Sequence, residues 1–307
     1  MTEPHFNIVA VIGAGLIGSS IAHAAREKGV AKEVRVYDAS GDVRTRAAGI
    51  NLGDVCNTAA EAVRDADCVF LCMPVGAMAG AAAEIAPHLK AGAIVTDVGG
   101  VKKMVGDGVI PALPENVFFV AGHPIAGTEH SGPEAGFATL FEKRWMILTP
   151  QDNARPEYQN AVARVADFWR ALGANVELMD AARHDMVLAV TSHLPHLIAF
   201  NIVAMAEDLE KVSESEVVKY SAGGFRDFTR IAASDPTMWR DVFLANKEAV
   251  LEVLGRFSED LAALQRAIRW GDGEYLHELF ARARRVRREV IEAGQDSPAP
   301  NWGRDKA

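Results

Sequence analysis

Residues 13–18, Gly-Ala-Gly-Leu-Ile-Gly, close one kind of sequence and open another. Before them, Phe6-Asn7-Ile8-Val9-Ala10-Val11-Ile12 is a short, nearly unbroken apolar run, the pattern of a strand buried on both faces. After them, Leu16 to Lys28 reads as a helix that stops at Gly29, a residue suited to the left-handed terminator position. A G-x-G-x-x-G alone is a weak signal, because glycines are common. Between a strand and a helix it has a mechanical meaning. Gly13 permits the tight turn, Gly15 lets backbone approach a pyrophosphate, and Gly18 lets the helix pack close to the sheet. The helix N-terminus, around Leu16 and Ile17, then faces the phosphates. Asp38 ends a second apolar run, Val34 to Tyr37, twenty residues beyond Gly18. A carboxylate there accepts hydrogen bonds from a ribose and repels a 2′-phosphate, which favours NAD over NADP, although Arg44 and Arg46 follow closely.

The alternation continues. Cys68 to Cys72, Ile94 to Thr96, Val117 to Val120, Trp145 to Leu148 and Val176 to Met179 read as strands, most of them separated by helical stretches. Apolar strands joined by helical crossovers imply a parallel sheet covered on both faces. From about Ala181 to Ala293 everything reads as helix. Leu254, Phe257, Leu261, Leu264 and Ile268 form a narrow apolar seam, and Leu276, Leu279, Ala283, Val286 and Val290 form another. The expected fold is therefore α/β: a Rossmann-type doubly wound parallel sheet over 1–179, an all-helical domain over 180–293, and a disordered tail over 294–307.

A net charge of −9 argues against nucleic acid or an anionic membrane as partner. No apolar run approaches the roughly 18 residues of a membrane span. The start, Met1-Thr2-Glu3-Pro4-His5, lacks a basic leader, and the three cysteines suit a reducing compartment, so a cytoplasmic protein is expected. Cys68 and Cys72 read as strand filler. The arginines between 282 and 288 read as a solvated face late in a helix.

Three further segments carry chemistry. His123-Pro124-Ile125-Ala126-Gly127-Thr128-Glu129 follows a strand at the expected catalytic edge. Ser192-His193-Leu194-Pro195-His196 lies in the first long helical region. Gly223-Gly224-Phe225-Arg226-Asp227-Phe228-Thr229-Arg230 precedes Ser234-Asp235-Pro236-Thr237-Met238-Trp239. With the glycine turn, and in this order from about residue 6 to 292, these motifs resemble the prephenate/arogenate dehydrogenase family. The resemblance implies oxidative decarboxylation of a cyclohexadienyl acid with hydride transfer to NAD⁺, in tyrosine biosynthesis. It implies His123 as the base that takes the ring hydroxyl proton, a task suited to a group titrating near neutrality. It implies that His196 and Arg230 bind the substrate, Arg230 through its planar fork of donors, with His193 beside them. Glu129, Arg226 and Asp227 resemble an ionic network that gates the entrance. Trp239 resembles a residue contributed by the partner subunit, so a homodimer is implied.

One departure stands out. In Asp97-Val98-Gly99-Gly100-Val101-Lys102 a glycine occupies the place where the family commonly carries serine, leaving a water or Thr128 to serve the substrate hydroxyl. His193 and His196 lie three apart on a helix, but no third ligand has suitable spacing, so no metal is expected. The nucleotide fold begins near Met1 and only a short tail follows the last helix, so neither a fused mutase nor a regulatory domain is expected. A β-hydroxyacid dehydrogenase or imine reductase would place a lysine where histidine and arginine stand here. A non-enzymatic NAD-sensing dimer would need no such histidines. The residues do not separate prephenate from arogenate.

Overall fold

The computed structural model describes residues 4–128, 130–213 and 223–292; the expected tail at 294–307 lies outside them. Two compact units divide the chain, residues 1–247 and 248–307. The first holds one eight-stranded sheet: β1 (Phe6–Ile12), β2 (Ala31–Tyr37), β3 (Asp54–Val55), β4 (Cys68–Leu71), β5 (Ile94–Asp97), β6 (Phe118–Pro124), β7 (Trp145–Thr149) and β8 (Asn175–Leu178). Their order is β3-β2-β1-β4-β5-β6-β7-β8. The chain steps outward from β1 to β3 and then returns to β4, so a crevice opens beyond the C-terminal ends of β1 and β4.

Both faces of the sheet are buried because successive strand residues point to opposite sides. Val9 and Val11 pack on one side with Ile21, Ala22 and Ala25 of helix Leu16–Glu27 and with Phe168 and Trp169 of helix Pro156–Ala171. Phe70 joins them, its ring centroid 5.1 Å from that of Phe168. Ala10 and Ile12 pack on the other side with Ala62, Val63, Met78 and Ala82.

The glycine turn sits where expected. Gly13 has φ +104°, and a Cβ there would lie 2.7 Å from the Cys72 carbonyl oxygen. A Cβ on Gly18 would meet the Gly13 carbonyl oxygen at 2.0 Å, whereas Gly15 has nothing within 4 Å. Gly13 and Gly18 are thus required by the fold. Gly15 is left open for a ligand.

Two expectations need correction. The sheet is not wholly parallel, since β7 runs antiparallel to β6. Among the described residues the chain between them makes only short turns, with no crossover helix to carry it back to the other end of the strands. Finally, the helical run Ala181–Asp208 contains an 18-residue stretch with a mean hydropathy of 1.6, long and apolar enough to pass for a membrane span by composition. It nonetheless carries His184, Asp185 and His193, all buried and hydrogen-bonded within the first unit.

That run is not a uniform helix. Ala189–His193 forms a π turn between helices Ala181–Leu188 and Leu194–Ser213. Nine residues along a straight α-helix would set His184 and His193 about half a turn apart. The wider turn takes some of that rotation back, a common device at functional sites.

In the second unit, Gly271 (φ +70°) breaks the chain between helices Lys247–Trp270 and Gly273–Glu292. Their apolar seams stay largely open: Leu261, Ile268, Val286 and Val290 are 48%, 68%, 54% and 40% exposed. The arginines from 282 to 288 are exposed as well.

Candidate active site

Asp38 follows β2 directly, and two backbone amides hold its carboxylate. Oδ2 accepts from Ala14 and Oδ1 from Ser40, each at 2.9 Å. The first bond ties this carboxylate to the glycine turn. Arg44 and Arg46 already have partners. Arg44 donates to the carbonyls of Asp38 and Ala39 at 2.7 and 3.1 Å, while Arg46 forks onto Glu134. No side chain caps helix Leu16–Glu27 at Gly15, so its first amides are available to a pyrophosphate. These residues fit a bound dinucleotide.

His123, next to last in β6, lies at the C-terminal edge of the sheet, partly buried. Its Nδ1 is 2.9 Å from Nε2 of His184, and Nδ1 of His184 is 2.8 Å from Oδ1 of Asp185. The opposite ring edge faces the loop after β5. A Cβ placed on Gly100 would lie 3.8 Å from Cε1 and 3.9 Å from Nε2 of His123, so residue 100 leaves that side open. Burial, and then the neighbouring His184, Lys102 and His193, hold the His123 pKa well below the ordinary value. The ring is therefore neutral near pH 7 and able to accept a proton.

Beneath it lies a buried ion pair. Lys102 Nζ bonds both the Asp97 carboxylate and the Gly122 carbonyl, and both charged side chains are 0% exposed. Asp97 also accepts from the amides of Gly99 (2.8 Å) and Gly122 (3.1 Å), so one carboxylate joins β5, β6 and the loop between them.

His193 donates to the Gly100 carbonyl, and its Nδ1 receives Asn246 Nδ2 at 3.1 Å. Asn246 also bonds the Asp185 carbonyl at 2.8 Å. His193 thus secures the loop opposite His123. His196 lies one turn on, its Nδ1 donating to the Ser192 carbonyl at 2.8 Å. Burial lowers its pKa, and nearby Arg230, at the start of turn Arg230–Ala233, lowers it further.

Trp239 stacks on His196 of its own chain, ring centroids 3.7 Å apart. The reason is local. Asp235 caps helix Pro236–Ala245 through the Met238 amide, at 2.7 Å, which turns Trp239 and Val242 to the buried face. Thr128 accepts from the His130 amide at 3.3 Å; the hydrogen-bond partner of His123 among the described residues is His184. Arg226 and Asp227 pair with each other at 3.0 Å on an exposed helix face. Glu129 lies outside the described residues.

Residues 21–178 match the family description "Prephenate dehydrogenase, nucleotide-binding domain", and residues 180–282 match "Prephenate dehydrogenase, dimerization domain". The chain belongs to the prephenate dehydrogenase family. A cyclohexadienyl dehydrogenase of Zymomonas mobilis is 46% identical over 283 residues, covering 92% of this chain and 95% of that one. A prephenate dehydrogenase of Bacillus subtilis is 32% identical over 281 residues, covering 91% and 75%. The crystal structure of prephenate dehydrogenase from Aquifex aeolicus, in complex with hydroxyphenyl propionate and NAD⁺, has a TM-score of 0.84 at 34% identity and covers 92% of this chain and 98% of that one. The chain is thus a Rossmann-type oxidoreductase of the prephenate dehydrogenase kind.

In this prephenate dehydrogenase relative, sequence reasoning missed His184, Asp185, Asn246 and the Asp97–Lys102 pair. Asp97 and Lys102 stood inside a segment already singled out. His184-Asp185 left a fainter trace, a polar pair opening a helix that is otherwise mostly apolar.

The four site histidines make the fold sensitive to acid. His123, His184, His193 and His196 all have lowered pKa values, each chiefly through burial, that of His193 reaching about 4. The unfolded chain, with histidines at their ordinary value, takes up protons first as pH falls. Stability is therefore complete above pH ~6.5 and declines from there toward the folded values. A Tm series from pH 8 to 4.5 is expected to stay level above neutrality and to fall progressively below about 6.5. A flat series through pH 5 would remove these groups as buried neutral histidines.

Proposed function

We propose that this chain oxidises and decarboxylates prephenate, arogenate or both, on the way to tyrosine, with His123 as general base. The observation that carries this reading is the neutral His123 at the sheet edge, tied through Nδ1 and open at Nε2. The ring hydroxyl O–H bond breaks and its proton goes to Nε2. Bound NAD⁺ supplies the acceptor for the hydride on the same carbon. The bond to the ring carboxylate then breaks, its electron pair enters the ring, and CO₂ departs as the ring becomes aromatic. Geometry of this kind, with the proton acceptor already positioned, is how a general base lowers a barrier.

Arg230 and His196 bind the anionic substrate in this reading. The indole N–H of Trp239 supports them, because it is buried near His196 with no hydrogen-bond partner among the described residues. A donor left so is costly unless a ligand satisfies it. Residues 1–179 hold the dinucleotide, and 180–293 supply the substrate pocket and dimer contacts. Glu129, Arg226 and Asp227 gate the entrance.

NADH formation with prephenate and with arogenate tests the reading. At least one should react, with kcat/KM for NAD⁺ at least about tenfold above that for NADP⁺ because of Asp38. Arg230→Ala should raise KM for the same substrate more than it lowers kcat. No NADH from either acid would end the proposal, and equal use of NADP⁺ would remove the role given to Asp38.

The open seams on helices Lys247–Trp270 and Gly273–Glu292 support a homodimer, since exposed apolar stripes at helical spacing are costly in water. Light scattering should give twice the chain mass of 33.0 kDa; an active monomer would contradict it. The three free cysteines fit a cytoplasmic setting, which cell fractionation would check.

A further inference from the structure

We propose that Asp185 and His184 form a relay that fixes the tautomer of His123, holding its ring proton on Nδ1 and keeping the Nε2 lone pair free for the substrate. The proposal rests on His123 being the base, and it names the groups that make that base competent. Asp185 is anchored by the amides of Lys102 (2.8 Å, to Oδ1) and Lys103 (3.0 Å, to Oδ2). Burial pushes its pKa up, but the bonds from His184, Lys102 and Lys103 outweigh it and hold the carboxyl below its ordinary value.

An ionised carboxylate only accepts hydrogen bonds. The 2.8 Å contact with Asp185 therefore puts the His184 proton on Nδ1. Neutral His184 then presents a lone pair at Nε2. The 2.9 Å contact from that atom to Nδ1 of His123 holds one proton, which must come from His123. His123 in turn is left with its lone pair on Nε2, the atom facing the open side at Gly100. Each assignment follows from the one before it, as second-shell bonds fix the working nitrogen of a histidine. No other charged or titratable side chain of the described residues bonds His123; Lys102 and His193 face it without a hydrogen bond.

The relay also serves the moment of reaction. When Nε2 takes the hydroxyl proton, the imidazolium that forms keeps its Nδ1–H bond to His184, and the Asp185 carboxylate stands behind. His184 and Asp185 touch neither substrate nor cofactor in this account. They are positioning residues.

A packing role predicts a different ranking of variants. His184 is 0% exposed, so leucine should fill its place at least as well as glutamine if it is only a plug. Under the relay the order is reversed. His184→Leu offers no acceptor, so kcat should fall about 10–100-fold while KM stays within about threefold. His184→Gln keeps a carbonyl oxygen near the Nε2 position and should retain kcat within about fivefold.

The decisive readout is independent of activity. Nitrogen-15 NMR of the histidine-labelled enzyme at pH 8, with His123 assigned through His123→Asn, reports which ring nitrogen carries hydrogen. The relay requires Nδ1–H and a bare Nε2 in the wild type, and a shift toward Nε2–H in His184→Leu. Nε2–H on His123 in the wild type would overturn it, as would a folded His184→Leu enzyme with undiminished kcat where His123→Asn is slow. If both His184 variants fail to fold, the wild-type spectrum still decides. Should neither acid prove a substrate, the proposed function falls, while the spectrum continues to report on the relay.

Discussion

His123→Asn should fold, bind NAD⁺ and substrate nearly as the wild type does, and turn over about 10²–10⁴ times more slowly. The substitution suits the site. The asparagine amide N–H₂ stands near the place of Nδ1 and can still donate to Nε2 of His184, which holds that bond at 2.9 Å. Nothing replaces Nε2, so the proton acceptor alone is lost. Steady-state kinetics with cofactor binding followed by fluorescence separates the two properties. A variant retaining more than about a tenth of wild-type kcat would mean that the proton leaves by another route.

Lys102→Met should be the most destabilising single change near the site. It leaves Asp97 charged in a position that is 0% exposed. Breaking a buried pair from one side typically costs about 3–5 kcal/mol. The amides of Gly99 and Gly122 still donate to the orphaned carboxylate, which keeps the loss toward the lower end. For a chain of this size Tm should drop by roughly 6–10 °C. Adding Asp97→Asn removes the stranded charge, so the double variant should recover much of the loss. If the double variant is as unstable as the two single losses added together, the pair is not coupled and the account of it is wrong.

Much of the first unit was legible because its strands are apolar runs and its glycines are placed by sterics. From Val9 to Ile12 both faces of β1 are buried, as the apolar run implied. The direction of β7 was not legible, since strand direction depends on the connection rather than on the strand. His123, His193 and His196 were readable as motif members. Their partners were not. His184 meets His123 from 61 residues away and Asp185 meets Lys102 from 83, so neither contact leaves a local pattern. Trp239 shows the converse. Its motif was visible, but its stacking on His196 depends on how Asp235 starts its helix. The π turn at Ala189–His193 has no sequence signature at all, yet it helps bring His193 within reach of Asn246.

The central claim is that a neutral His123 takes the hydroxyl proton, and the pH profile of kcat/KM for wild type and His123→Asn tests it most directly. The profile reports groups of the free enzyme. Burial and the neighbouring His184, Lys102 and His193 keep His123 below the ordinary histidine value. The wild-type acid limb should therefore have its midpoint below pH ~6.5, with a slope of one proton. In His123→Asn that limb should vanish, leaving a low rate that does not vary across the same range. An identical acid limb in both enzymes would contradict the account, because the titrating group would then be something other than His123.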